Sequence, residues 1–74
     1  MSKPTKITNS IRALRFARGE MTQADLAQRI GVTRQTIIAI EQGRYSPSLE
    51  VAFQIARVLK VPLDDVFQYP EGEA

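Results

Sequence analysis

Thr22-Gln-Ala-Asp-Leu-Ala-Gln-Arg-Ile-Gly-Val-Thr-Arg-Gln-Thr-Ile-Ile-Ala-Ile-Glu41 is the stretch that decides the fold. Each half opens on a threonine, Thr22 and Thr33, whose hydroxyl can accept from an unpaired backbone N–H and so start a helix. Asp25 follows Thr22 at capping-box spacing. Met21 with Leu26, and Val32 with Ile37, can form hydrophobic staples. Leu26, Ala27 and Ile30 then recur on one helical face, as do Ile37 and Ile40 in the second half. Between them stands Gly31, which can take the left-handed conformation that a sharp helix-to-helix turn needs. The stretch therefore predicts two short amphipathic helices joined by a tight turn.

Working outward, a first helix is expected from about Asn9 to Arg18, with Thr8 or Asn9 as cap and Gly19 just past its end. Gly43 closes the third. A fourth follows Pro47 and is capped by Ser48. From Leu49 to Leu59 only Glu50, Gln54 and Arg57 are polar, a single thin stripe. A helix apolar nearly all round is a buried one, so it is read as the central core element, with a subunit contact as a further use. The fifth, Leu63 to Phe67, carries Asp64 and Asp65 in its first turn, where they suit the helix dipole. These two carboxylates point about 100° apart and no other catalytic group accompanies them, so the capping role prevails over a catalytic one. Residues 9–67 then form one all-α, five-helix domain, preceded by an arm, 1–8, and followed by a tail, 68–74, with a dimerisation role as one use. Thr5-Lys6-Ile7 and Phe67-Gln68-Tyr69 could pair as short strands, within or between chains. Two frayed ends are the plainer expectation.

At 74 residues the chain suits one small domain, and it has neither cysteine nor histidine. Disulfides are excluded, a metal site is disfavoured, and well-packed helices must supply the stability, helped by burial between subunits. No apolar run approaches the ~20 residues of a membrane span, and no signal-peptide pattern opens the chain, which reads as cytoplasmic. The net charge of +2 is unevenly placed. Residues 1–46 hold eight Lys/Arg against three Asp/Glu, a balance of +5, and residues 47–74 hold two against five, a balance of −3. Such a basic half suits a polyanion.

On the third helix, the side opposite Ile37 and Ile40 carries Gln35, Ala39, Gln42 and part of Ile38, flanked by Arg34 and Thr36. Arg matches guanine O6/N7 and Gln matches adenine N6/N7, each through two hydrogen bonds in the major groove. Arg34 and Gln35 stand at the N-terminal turn, where such readers are needed. Ala39 lets the helix approach closely or touches a thymine methyl, whereas Ile38 is expected to pack against the fourth helix. Thr22 and Gln23 open the second helix, whose free N–H groups favour an anion. Arg44, Tyr45 and Ser46 could clamp phosphate on the other side. Glu41 would repel phosphate unless neutralised. Its angle points to the interior flank, and a partly buried ion pair with Arg15 of the first helix is predicted.

Residues Asn9 to Phe67 resemble the Xre/phage-repressor (Cro-like) helix-turn-helix family. The likeness runs through Thr22-Gln-Ala-Asp-Leu-Ala, Gly31-Val-Thr-Arg-Gln-Thr-Ile, Ile40-Glu-Gln-Gly-Arg, Pro47-Ser-Leu-Glu and Leu59-Lys-Val-Pro-Leu-Asp-Asp-Val-Phe. The resemblance implies a lambda-repressor-like domain with the second helix across the DNA backbone and the third in the major groove. It implies that Thr33, Arg34, Gln35, Thr36 and Ala39 face bases or adjoining phosphates, that Gln23 makes a phosphate or end-of-site contact, and that Arg15 and Glu41 form an ion pair. Ala39 stands where many relatives carry a longer side chain, which implies fewer direct base contacts.

The expected function is sequence-specific binding of double-stranded DNA by a homodimeric transcriptional repressor, with a partner surface from the fifth helix, the tail, Phe16 or Tyr69. No cofactor, small-molecule ligand, membrane partner or catalysis is expected. The rival is a protein-interaction module of the same fold, an antitoxin or coactivator adaptor. Arg34, Gln35 and the basic half weigh against it, since protein-binding faces favour apolar or aromatic anchors.

Overall fold

The computed structural model describes residues 5–70; the outer arm and tail, including Lys3, Pro4 and Gly72, lie outside the described residues. The helices are α1 (Ile11–Ala17), α2 (Gln23–Ile30), α3 (Arg34–Glu41), α4 (Leu49–Leu59) and α5 (Leu63–Val66). Two short strands, β1 (Thr8–Asn9) and β2 (Phe67–Gln68), bracket them. Thr22, Thr33 and Ser48 cap α2, α3 and α4, their hydroxyls accepting from the N–H groups of Asp25, Thr36 and Val51 at 3.0, 3.2 and 3.2 Å. These three caps stand where the sequence places them.

Every helix contributes to one core: Ile11, Leu26, Ile37, Ile40, Ile55, Leu59 and Val66 are fully buried. α2 packs against α3 across the turn and against α4, which in turn rests on α5. Gly31 makes the turn at φ +79°, and its N–H reaches the Gln28 carbonyl. Among the described residues no helix is long and apolar enough to cross a membrane.

Three expectations are corrected. α1 begins at Ile11 rather than Asn9, because Asn9 is held in β1. Ser10 occupies the cap position without a side-chain bond, and the Asn9 Oδ1 instead accepts the Ile11 N–H at 3.2 Å. The ends, within the described residues, are not frayed. Thr8 pairs with Gln68 and Asn9 with Phe67 in an antiparallel ladder, one residue beyond the Thr5–Ile7 segment proposed for it. The Ser10 N–H continues the ladder to the Val66 carbonyl at 2.9 Å. Thr5 itself donates its N–H to the Gly43 carbonyl at 3.2 Å, so the arm lies against the end of α3. Phe67 accordingly leaves α5, at φ −123° and ψ 139°, to enter β2.

The third correction concerns α4. Ala52, Ile55, Ala56 and Leu59 face the core, but Leu49 is 70% and Phe53 56% exposed. The two alanines let α4 lie close on one side only, and no described element covers the other.

The Gly31 turn gives a direct test. A Cβ at Gly31 would meet no heavy atom within 4 Å, so a side chain there is opposed by backbone conformation alone. Gly31→Ala should lower stability by about 1–2 kcal/mol and Gly31→Asn by less, since Asn tolerates the left-handed region better. Thermal denaturation checks it: the Ala variant should melt roughly 4–8 °C lower per kcal/mol, with Asn between it and wild type.

Candidate nucleic-acid interface

α3 is fixed by Ile37 and Ile40, both buried, and this sets the direction of everything else on the helix. Arg34 and Gln35 are exposed on its first turn, Thr36, Ile38 and Ala39 are half-buried, and Gln42 is exposed just past its end. Among the described residues neither Arg34 nor Gln35 uses its side chain in a hydrogen bond within the chain. Both donor sets are therefore free for an external acceptor. Thr33 and Thr36 are partly committed. The Thr33 hydroxyl caps the helix and lies 3.0 Å from the Thr36 hydroxyl, so one of the two donates to the other.

The start of α2 is held to α3 by a buried polar network. Arg15 of α1 donates to both Glu41 oxygens, through Nε at 2.7 Å and Nη2 at 3.1 Å. Its Nη1 donates to the Met21 carbonyl at 2.9 Å. The Gln23 Nε2 donates to Glu41 Oε1 at 3.1 Å. The two charged side chains are only 7% and 10% exposed. The pair predicted from the angle of Glu41 is thus present, with more partners than spacing could indicate. Glu41 is neutralised, and Gln23 is oriented at the mouth of α2 by the same carboxylate.

A groove of about 1030 Å³ opens between α1, the start of α2 and both ends of α3, with Arg12, Phe16, Thr22, Gln23, Arg34 and Gln42 on its walls. It brings Thr22 and Gln23 beside Arg34, as a phosphate-and-base surface requires. Arg44, Tyr45 and Ser46 are exposed in the loop after α3 and do not line this groove. Arg12 was not singled out from the sequence. Its guanidinium sits 5.6 Å from the Phe16 ring centre, with that of Arg15 at 5.7 Å. The four-residue spacing of Arg12 and Phe16 was the available signal. Phe16, expected as a partner surface, is engaged by two cations while remaining 52% exposed.

A capped helix, a left-handed turn and a second capped helix with a free polar face define a helix-turn-helix domain. Residues 11–66 match the helix-turn-helix family profile. An uncharacterized HTH-type transcriptional regulator of Methanocaldococcus jannaschii is 55% identical over 53 residues, covering 72% of this chain and 80% of that protein. One from Methanothermobacter thermautotrophicus is 56% identical over 55 residues, 73% of this chain and 80% of its own. The cryptic phage CTXphi transcriptional repressor RstR of Vibrio cholerae is 36% identical over 59 residues, which are 80% of this chain and 52% of that one. A crystal structure of a DNA-binding protein candidate from Bacteroides fragilis superposes with a TM-score of 0.73 at 24% identity, over 84% of this chain and 98% of its own, which shows the shared fold. The chain belongs to the helix-turn-helix family of transcriptional regulators, a family that is not enzymatic.

Removing one member of the buried network leaves the other charge without its partner. Glu41→Gln should cost about 3–5 kcal/mol, and Arg15→Met a similar amount. The double variant Arg15→Met/Glu41→Leu, which buries no charge, should recover most of the loss. Urea denaturation of the three variants checks this. An unchanged midpoint for Glu41→Gln would refute the structural role of the pair.

Proposed function

We propose that this chain is a sequence-specific regulator of transcription that binds double-stranded DNA as a homodimer and represses by occupying its operator. The observation that carries the reading is the first turn of α3. Arg34 and Gln35 are exposed, free of internal hydrogen bonds and set on a helix whose opposite face is locked in the core. In this reading α3 enters the major groove. Arg34 and Gln35 read base edges through paired hydrogen bonds, and Thr33, Thr36 and Ala39 adjoin them with a hydroxyl or a close van der Waals approach.

Thr22 and Gln23 receive a phosphate at the N-terminus of α2. Arg12, on the same groove wall, adds a cation to that contact. Arg44, Tyr45 and Ser46 hold the backbone on the other flank. One α3 spans only a few base pairs, so two copies about a two-fold axis read half-sites about 34 Å apart on one face of the duplex. The repressor designation of the Vibrio cholerae relative supports the sign of regulation. A protein that works where the chromosome is needs no membrane attachment, and a cytoplasmic location follows from the role.

The test is selection of bound duplexes from a randomised pool, run beside Arg34→Ala/Gln35→Ala. Wild type should enrich a two-fold symmetric site, and the double variant should bind it at least tenfold more weakly, at ~1–3 kcal/mol for each bidentate contact. Arg44→Ala should leave the selected sequence unchanged and flatten the dependence of log affinity on log salt by roughly one unit. A pool with no enriched site would overturn DNA reading and leave the adaptor role as the alternative.

A further inference from the structure

The outward face of α4 is apolar at one end and charged in a pattern that is complementary to itself. At ~100° per residue, Glu50, Phe53, Gln54 and Arg57 fall within one arc, opposite the buried Ala52, Ile55, Ala56 and Leu59. Leu49 and Phe53 are among the most exposed large apolar side chains of the described residues, at 70% and 56%. Tyr45, in the loop that precedes the helix, is 40% exposed. Among the described residues neither Glu50 nor Arg57 has a salt-bridge partner, since the recorded ion pair is Arg15–Glu41.

Arg57 follows Glu50 by seven positions, two helical turns or ~10 Å on the same face. Their midpoint lies between Phe53 and Gln54. We propose that this face is where two copies of the chain meet, with α4 antiparallel to its counterpart about a two-fold axis between Phe53 and Gln54. Glu50 then faces the partner's Arg57, and Arg57 faces the partner's Glu50. The two Phe53 rings lie between these ion pairs and lose their exposed surface there. An isologous contact requires a surface that is its own complement, and an acid and a base placed symmetrically about the Phe53–Gln54 midpoint meet that requirement. A foreign partner would not require the symmetry. The sequence already gives the fourth helix a subunit contact as a further use, beside the fifth helix, the tail, Phe16 and Tyr69; of these Phe16 is engaged by Arg12 and Arg15.

This proposal rests on the dimer reading above and names its surface. Sedimentation equilibrium of the full chain without DNA tests it, so a failure here is separate from a failure of operator selection. Wild type should dimerise, while Glu50→Arg alone and Arg57→Glu alone should each weaken dimerisation roughly tenfold or more, because like charges then face each other at both ends. Mixing the two single variants should restore association, since each acid then meets a base on the other chain. The double variant Glu50→Arg/Arg57→Glu should dimerise by itself. Circular dichroism confirms that each variant is helical, and Glu50→Gln with Arg57→Gln serve if a reversal unfolds the chain: each should weaken the dimer by less than a reversal does. A wild type that stays monomeric at all concentrations overturns the proposal. So does a dimer indifferent to every substitution, or one that mixing fails to restore.

Discussion

The buried guanidinium of Arg15 is the constraint on which the arrangement depends. Three of its donors are used, two on Glu41 and one on the Met21 carbonyl. Burying either charge alone would cost several kcal/mol, and the pair is tolerable because the planar fork meets both carboxylate oxygens. The consequence is geometric. Met21 is the residue before the cap of α2, Glu41 is the last of α3, and Arg15 lies on α1, so one side chain ties three elements at their ends. Gln23 is drawn into the same carboxylate, which sets an amide at the mouth of α2 relative to the exposed face of α3. A helix-turn-helix is defined by this relative placement, and here polar geometry fixes it in addition to apolar packing.

Directional side chains made much of this legible from the sequence. A cap hydroxyl acts on the N–H three residues on, so Thr22, Thr33 and Ser48 announce their helices locally. Gly31 announces the turn just as locally, because the φ of +79° there suits a residue without a Cβ. Even the long-range Arg15–Glu41 pair followed from a local fact, the inward angle of an acid that needs a partner. The failures lie where the decisive contact is remote and carried by backbone. Asn9 reads as an ordinary cap, yet its Nδ2 also donates to the Ile40 carbonyl at 3.0 Å. The β1–β2 register depends on residues sixty positions apart, which leave no periodic trace in two-residue strands. α4 failed differently: apolar composition says that a face is fit for burial, not that this chain alone buries it.

The interface residues divide by how much of their bonding is already committed. Thr22 and Thr33 spend their hydroxyls as caps, and Gln23 spends one N–H on Glu41. Arg34 and Gln35 spend nothing within the described residues. Committed groups are held in place and suit positioning contacts, with phosphate for Thr22 and Gln23 and beside the base readers for Thr33. Uncommitted ones can satisfy a ligand's hydrogen bonds in full, which is what discrimination between bases needs. The uneven charge of the sequence fits this division, because Arg12 and Arg34 line one groove and Arg44 follows α3, while Asp64 and Asp65 belong to α5.

Rigidity and self-association then bear on each other. A domain whose two functional helices are locked together loses little freedom on docking, so less of its contact energy is spent on ordering. It also cannot adjust to a misplaced half-site. If two such units are joined through a helix face rather than a flexible tail, their separation is set by the fold, and the second contact is gained at a high effective concentration only when the duplex presents the matching spacing. The exposed side of α4 lies directly after the Arg44–Ser46 loop that leaves α3, so a joint there transmits position over few residues. A contact through the chain ends would pass first through the two-residue β1–β2 ladder, a weaker lever. The short path from α3 to α4 is the physical reason to look for spacing specificity in this face.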